Sequence, residues 1–242
     1  MSTFWDIRSA KYDQLFWVND TDYLTLIANV GGFCVSDVVL DVGSGTGVVA
    51  RYLKDKVGHV VCVDISSSML QKGDWQNMSV VKWDIGSRLF VDNLFVKIVA
   101  RMVLHHIIDG LDRVIVRCHD MLKRDGVFVV AEGIPPDDSP EVVNWYTQMF
   151  RLKEERLTLT EAFLKERLLH NGFSSVRTYL HINDEFSVNN WLENSGIEKR
   201  LQARIYDMHV NAPDCVKKAY KMRLTSSDCI LCTKNIVLVA AA

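Results

Sequence analysis

A strand that runs directly into a glycine loop and then into a helix is the feature that most constrains this sequence. Residues 38–47 read VVLDVGSGTG, and a helical pattern extends from the last glycine to Leu53. Glycines allow the backbone to turn tightly and let a ligand approach the main chain. The first turn of the following helix carries N–H groups that have no partner within the helix. The segment therefore predicts a ligand site at the end of a buried strand.

Apolar runs that alternate with helical patterns predict the fold class. The runs that read as strands are 38–42, 59–63, 79–83, 95–102 and 126–131. A helical pattern at 111–122 separates the last two of these runs. Continuous apolar strands that alternate with helices are typical of a parallel sheet that is covered on both faces. We therefore predict a Rossmann-like α/β fold.

The second half of the chain is less regular. Helix-start signals predict helices at about 140–152 and 160–170, and strand-like runs lie at 175–182 and 229–239. The residues between those two strands, 187–227, are helical in pattern and form an insertion before the final strand.

We expect one domain over residues 1–242. Its parts are an aromatic-rich N-terminal helical cap (1–32), a ligand-binding core (33–135) and the helical insertion (187–227). The aromatic residues of the cap and the insertion either close over a substrate as a lid or pack as ordinary surface helices.

The composition excludes several classes of protein. The chain has 242 residues, 48% of them hydrophobic, and 28 basic and 30 acidic residues give a formal net charge of -2. A disordered chain would be less apolar, and a dedicated nucleic-acid binder usually has a basic excess. The chain has no apolar run of membrane-spanning length, and the first residues, MSTFWD, do not read as a signal peptide. Six scattered cysteines favour a reducing, cytoplasmic setting over a disulfide framework.

The spacing of the glycines separates two kinds of adenosine ligand. A dinucleotide fingerprint requires GxGxxG, whereas here the third glycine comes one position early, at Gly43, Gly45 and Gly47. Asp41 lies two residues before the first glycine, where a carboxylate suits an ammonium group better than a pyrophosphate. An NAD enzyme is therefore disfavoured.

Two further acids follow the next two strands. Asp64 ends the second strand, 21 residues after Gly43, where a carboxylate can accept hydrogen bonds from both ribose hydroxyls. Asp84 follows the third strand and can accept a hydrogen bond from an adenine amino group. Together with the glycine loop, these acids indicate an adenosine-containing ligand.

These motifs resemble the class I S-adenosylmethionine-dependent methyltransferases, in particular the small-molecule branch similar to the ubiquinone/menaquinone-biosynthesis methyltransferases. The matching segments are 40–47, 63–70, 84–85 and 101–106. The resemblance implies S-adenosyl-L-methionine as cofactor, and a seven-stranded, mostly parallel sheet with an antiparallel last strand. It also implies methyl transfer to a small molecule, with oxygen, nitrogen and carbon acceptors all open. The family often has an aspartate where this chain has Val96.

The resemblance also implies which residues bind the cofactor. Gly43, Gly45 and Gly47, with Ser44 between them, would contact the methionine part, and Asp41 its amino group. Asp64 would bind the ribose, Ile65 and Met69 would flank the adenine, and Asp84 with Ile85 would meet its amino edge. Arg101 would lie near the amino-acid end, and Tyr12 of the cap completes the predicted set.

Three residues are candidates for catalysis. His105 and His106 follow the fourth strand, and an imidazole that titrates near neutrality suits a general base. Each histidine is either that base or a residue that orients the loop. Glu132 ends the fifth strand and is a base, a ligand for an ammonium substrate or a hydrogen-bond acceptor for a loop. The sequence predicts no metal site.

A run of charges at 151–156 has two interpretations. Arg151, Lys153 and Arg156 lie beside two glutamates, as on a solvated helix face with internal ion pairs. Alternatively, the cations clamp a carboxylate or phosphate, which would make the acceptor anionic.

Two other functions are weighed against a small-molecule enzyme. A nucleic-acid methyltransferase is disfavoured because the Asn/Asp-Pro-Pro-aromatic signature is absent after the fourth strand, and because the net charge is nearly neutral. A regulatory or scaffold protein that binds the cofactor without turnover stays open. The sequence leaves the oligomeric state undetermined.

Overall fold

The computed structural model describes residues 2–87 and 90–242. Its strands are β1 (Val38–Val42), β2 (His59–Asp64), β3 (Met78–Lys82), β4 (Phe95–Arg101), β5 (Leu122–Ile134), β6 (Ser175–Ser187), β7 (Arg223–Leu224) and β8 (Cys229–Ala241). All belong to one sheet with the order β3-β2-β1-β4-β5-β8-β6, and the two-residue β7 pairs with β8.

The strand directions confirm the predicted sheet. Strands β1 to β5 pair in parallel, and β8 is antiparallel to both β5 and β6. The small β7 is an addition to the seven expected strands. Strands β5 and β6 are longer than predicted because β8 pairs with them as far as Ile134 and Ser187.

Helices cover both faces of the sheet and its carboxyl edge. They are α1 (Ser2–Ser9), α2 (Thr21–Gly31), α3 (Val48–Leu53), α4 (Ser67–Leu70), α5 (Leu111–Met121), α6 (Pro140–Lys153), α7 (Glu161–His170), α8 (Val188–Glu193), α9 (Lys199–Val210) and α10 (Asp214–Ala219). Short 3₁₀ turns occupy Tyr12–Gln14, Phe16–Asn19 and Leu104–His106. Within the described ranges, no helix is long and apolar enough to cross a membrane.

Side-chain caps explain where several helices begin. The Asp20 carboxylate accepts a hydrogen bond from the Tyr23 N–H at 3.0 Å, and the Thr160 hydroxyl accepts one from Phe163 at 3.2 Å. Pro140 begins α6. Proline has no backbone N–H, and at the first position of a helix an N–H would have no acceptor within the helix. The positions of α6 and α7 agree with the helix-start signals of the sequence.

The core is divided by the sheet. Along β4, Ile98 packs in the cluster that contains α5 and α7, whereas Val99 packs in the cluster that contains α2 and α3. Successive strand residues point to opposite faces, so the apolar stretch 98–100 of β4 is buried on both faces. Burying each such side chain stabilises the fold by about 1.5–3 kcal/mol.

A third cluster forms away from the two sheet faces. It joins α6 to α8, α9 and α10 through Trp145, Trp191 and Ile205, and Leu15 and Val18 of the N-terminal segment also belong to it. This cluster connects the predicted cap and the predicted insertion.

Candidate active site

The glycine loop has the backbone conformation that its sequence requires. Gly43, Gly45 and Gly47 all have positive φ, at 66°, 56° and 85°. A Cβ atom on Gly43 would lie 2.3 Å from Val103, and one on Gly47 would lie 2.6 Å from the Trp75 ring. These two glycines are therefore required by packing within the protein. Gly45 is the least crowded of the three, which leaves its backbone as the surface for a ligand.

Asp64 joins the glycine loop to the end of β2. Its Oδ2 accepts a hydrogen bond from the Gly45 N–H at 2.8 Å, and its Oδ1 accepts one from the Ser66 N–H at 2.8 Å. A carboxylate has about four lone-pair sites, so each oxygen can accept one more hydrogen bond. The carboxylate is therefore held at the loop with capacity for two hydroxyl groups.

Two buried polar atoms beside the loop have no partner within the described residues. One is Oδ2 of Asp41, a residue that is 1% exposed, and the other is Nε of Arg101. Burial and the nearby Asp64 raise the pKa of Asp41 to about 8. The two terminal nitrogens of Arg101 donate to the Val18 and Trp17 carbonyls at 2.9 and 2.7 Å.

These two atoms provide a test of whether the site fits the predicted cofactor. A neighbouring cation would favour the charged form of a buried carboxyl group whose pKa is raised, and its free oxygen would accept that cation's N–H. An unpartnered guanidinium N–H requires an acceptor. The amino-acid end of S-adenosylmethionine has both, an ammonium group for Asp41 and a carboxylate for Arg101. The residues present therefore fit the cofactor.

The remaining predicted cofactor residues lie at the ends of β2 and β3. Both the N–H and the hydroxyl of Ser44 donate to the Val63 carbonyl, which fixes the loop. Met69 is buried beside Gly45, and Ile65 is 44% exposed. Asp84 and Ile85 follow β3; the Asp84 side chain is exposed and accepts one hydrogen bond from Gly86 at 2.9 Å.

The N-terminal segment contacts the glycine loop directly. The Thr46 hydroxyl donates to the Asp13 carboxylate at 2.6 Å. Burial raises the pKa of the neighbouring Tyr12 hydroxyl to about 12. The charges of Arg101 and Asp64 act on the same hydroxyl, Arg101 lowering its pKa and Asp64 raising it. No local pattern pointed to Asp13, since the contact spans 33 residues.

A cavity opens next to this site, at the carboxyl ends of β4 and β5. Met102 and Gly133 form its floor, and α1, α6 and the helical insertion contribute to its walls. Much of the lining is aromatic, including Trp5, Tyr12, Tyr146, Phe150, Trp191 and Tyr220. His105 and His106 also line it.

The structure brings two of the predicted catalytic residues together. Oε2 of Glu132 lies 2.6 Å from Nδ1 of His105. Oε1 of the same carboxylate accepts hydrogen bonds from the N–H groups of Val103 and Leu104 at 3.0 and 2.7 Å. Burial raises the pKa of Glu132 to about 7 and lowers the pKa of His105 well below its usual value. Glu132 is fully buried, and its carboxylate contacts residues 103–105 beneath the cavity surface.

His106 differs from its neighbour in its contacts. Its ring packs edge-on against Trp5 at 4.8 Å and lies 4.0 Å from the ring of His105. No hydrogen bond of its side chain fixes its tautomer among the contacts of the described residues. The two histidines are therefore unequal, which the sequence could not show.

The charge run at 151–156 divides into an exposed and a buried part. Arg151 is exposed, whereas the side chains of Lys153, Glu154 and Arg156 are at most 5% exposed and line the cavity. Arg8 of α1 joins them through an ion pair with Glu154 at 2.7 Å. The interpretation of the whole run as a solvated face is therefore wrong for Lys153, Glu154 and Arg156.

Gly45→Val is expected to abolish binding of S-adenosylmethionine. The branched side chain would sit at positive φ, with its Cβ 3.2 Å from Met69, on the least crowded backbone of the loop. Titration calorimetry measures the binding. Gly32→Val is the matched control, because Gly32 also has positive φ but has open space around it. Normal affinity in the Gly45 variant would contradict the loop assignment.

The chain is similar in sequence to known methyltransferases. Residues 40–130 match the model of a methyltransferase domain. Over 103 residues the chain is 34% identical to the demethylmenaquinone methyltransferase of Thermotoga maritima, and the alignment covers 41% of this chain and 44% of that protein. The chain thus spans less than half the length of this curated relative.

Solved structures show the same fold. A candidate methyltransferase from Bacillus halodurans superimposes with a TM-score of 0.77 at 17% identity, over 90% of this chain and 97% of the other. Phosphoethanolamine N-methyltransferase 2 of Haemonchus contortus, solved with phosphomonomethylethanolamine and S-adenosylhomocysteine, gives 0.60 at 15% identity, over 91% and 52%.

Proposed function

We propose that this chain, a class I S-adenosylmethionine-dependent methyltransferase by its domain and fold, transfers the methyl group of that cofactor to a small-molecule acceptor. The observation that carries the proposal is the pair of unpartnered atoms, Asp41 Oδ2 and Arg101 Nε, beside the glycine loop and next to an aromatic cavity. An adenosine site and a separate acceptor cavity are what such a transfer requires.

The protein contributes mainly alignment and exclusion of water. When bound, S-adenosylmethionine would supply an already activated methyl group, whose bond to sulfur would break as the bond to the acceptor forms. Asp64 and Gly45 hold the cofactor end of the site, and Trp5, Tyr146 and Trp191 give the acceptor cavity an aromatic lining. Holding two reactants in line converts a bimolecular step into one that is effectively unimolecular.

We assign His105 as the base for acceptors that must lose a proton. When Glu132 is ionised, it accepts a hydrogen bond from Nδ1–H of His105, which leaves Nε2 as the free acceptor. A base whose tautomer is fixed by a carboxylate is a recurrent arrangement in enzymes. Glu132 is then a positioning residue, and His106 packs beside the base.

The relatives support a small acceptor. One is named for a demethylmenaquinone substrate and another was solved with phosphomonomethylethanolamine. The nearly neutral net charge favours the same class over nucleic acid. A cytoplasmic setting stays part of the proposal and is supported by the six cysteines, which are all free thiols.

Incubation with S-adenosylmethionine labelled in its methyl group, together with a metabolite extract, tests this function. We expect label in a small-molecule fraction that mass spectrometry can identify, and no label with the Gly45→Val variant. Binding of the cofactor without any transfer would contradict the proposal and favour the scaffold alternative.

A further inference from the structure

The acceptor cavity contains an unusual group of buried charges. Arg8, Lys153 and Arg156 surround the single carboxylate of Glu154, with nitrogen–oxygen distances of 2.7, 3.0 and 3.7 Å. All four side chains are less than a tenth exposed. We call these four residues the cation cluster.

The cation cluster is short of negative charge. Two arginines and Lys153 face one carboxylate, and the next buried acid, Glu132, is engaged by His105 and two backbone N–H groups. Burial and the neighbouring Arg8 lower the pKa of Lys153 to about 7, so Glu154 alone does not fully stabilise its ammonium form and a bound anion would favour that form. Buried charges are costly unless they are paired, so this cluster lacks an anion.

Arg156 is the least satisfied of the three cations. Its side chain is 5% exposed, yet its contacts to Glu154, the Leu157 carbonyl and the Tyr146 hydroxyl span 3.7, 3.4 and 3.5 Å. Hydrogen bonds of a guanidinium group are normally 2.7–3.2 Å long. The guanidinium carbon lies over the Phe150 ring, 4.1 Å from its centroid.

An independent atom in the same cavity also lacks a partner. Nδ1 of the buried His209 lies 2.7 Å from the Ile205 carbonyl and must therefore carry the proton. Burial lowers the pKa of His209 to about 4, so the ring is neutral and Nε2 is an acceptor. Nε2 has no hydrogen-bond partner in the described part of the chain. A ligand that enters this cavity can supply the missing donor.

The same charges argue against a metal ion. Ring nitrogens of His105 and His106 and a carboxylate oxygen of Glu154 all lie within 4.8 Å of one another. However, three cations within 4 Å of that carboxylate would repel a divalent ion.

From these contacts we infer that the methyl acceptor carries an oxyanion, a carboxylate or a phosphate, which Arg156 and Lys153 bind, and a hydroxyl or N–H group that meets His209. This inference rests on the proposed function and names the substrate class of the same site. Arg8 links α1 to Glu154 and, through a 3.0 Å hydrogen bond, to the Ser195 carbonyl. The N-terminal cap therefore completes the anion site.

Fluorescence titration with four aromatic probes tests the inference. The tryptophans around the cavity report binding of phenyl phosphate, phenylacetate, benzyl alcohol and benzylamine, with S-adenosylhomocysteine present. We expect the better-bound anion to bind at least about 10-fold more tightly than the alcohol or the amine, since each charged hydrogen bond contributes about 1.5–3 kcal/mol. The two anions distinguish a phosphate site from a carboxylate site.

Arg156→Met is expected to weaken the preferred anion about 10- to 100-fold and to leave benzyl alcohol unchanged. Arg151→Met, an exposed arginine of the same run, is the matched control and should bind like the wild type. Arg156→Lys, which keeps the charge, should retain part of the anion affinity and covers the case in which the methionine variant does not fold.

Three results would overturn the inference: equal binding of anion and alcohol to the wild type, anion affinity unaffected in both Arg156 variants, or Zn²⁺ binding that depends on His105 and His106. Titration with S-adenosylhomocysteine alone separates these outcomes from a failure of the proposed function. If the protein binds S-adenosylhomocysteine but no anion, the inference about the substrate class is wrong and the proposed function still stands.

Discussion

Asp64→Ala is expected to weaken binding of S-adenosylmethionine by about 10²- to 10⁴-fold. The variant loses two hydrogen bonds from ribose hydroxyls to a charged acceptor, each worth about 1.5–3 kcal/mol. It also loses the contacts that hold the Gly45 and Ser66 N–H groups. Titration calorimetry with S-adenosylmethionine measures the change.

The control for this substitution is Asp55→Ala, which removes an exposed carboxylate after α3 and should leave the affinity unchanged. Asp64→Asn separates the two roles of the side chain. Its amide oxygen can still accept the Gly45 N–H, so the loop is retained while the charge is lost. Wild-type affinity in Asp64→Ala, with its fold verified by circular dichroism, would disprove the ribose assignment.

His105→Ala is expected to lower the rate of methyl transfer by about 10²- to 10⁴-fold for an acceptor that must lose a proton. Affinity for the cofactor should hardly change. The rate of the wild type should fall as the pH drops through about 7, because protonation of Glu132 reverses the hydrogen bond and places the imidazole proton on Nε2. Steady-state rates with the true acceptor across this pH range check the prediction.

Glu132→Gln tests the same pair without removing the ring. The amide oxygen can keep the hydrogen bonds from Val103 and Leu104, while the amide nitrogen donates to Nδ1 and fixes the wrong tautomer. We expect a loss similar to that of His105→Ala, and a much smaller loss for His106→Ala. Full activity in both His105→Ala and Glu132→Gln would show that no histidine base is needed, and that the enzyme works only by aligning the acceptor with the methyl group.

The sequence was most informative about side chains at the ends of strands. Asp41, Asp64 and Arg101 end or follow neighbouring parallel strands, so the sheet order alone brings them to one edge. Local spacing also predicted where α6 and α7 begin. In each case a short segment determines the position of the side chain.

The acceptor cavity could not be predicted in the same way. Arg8 contacts Ser195, which lies 187 residues away, and His105 contacts Glu132, 27 residues away. Such contacts depend on how the N-terminal segment and the insertion pack on α6, which periodicity does not specify. For the same reason the sequence could not separate the exposed Arg151 from the buried Arg156.

The central claim is that the glycine loop and Asp64 bind S-adenosylmethionine beside the cavity of the acceptor. A crystal structure of the chain with S-adenosylhomocysteine tests it most directly. We predict both ribose hydroxyls within hydrogen-bond distance of Asp64, and the amino-acid end at Asp41 and Arg101, with the sulfur facing the cavity that His105 lines. The ligand bound elsewhere, or an empty glycine loop at saturating concentration, would contradict the account.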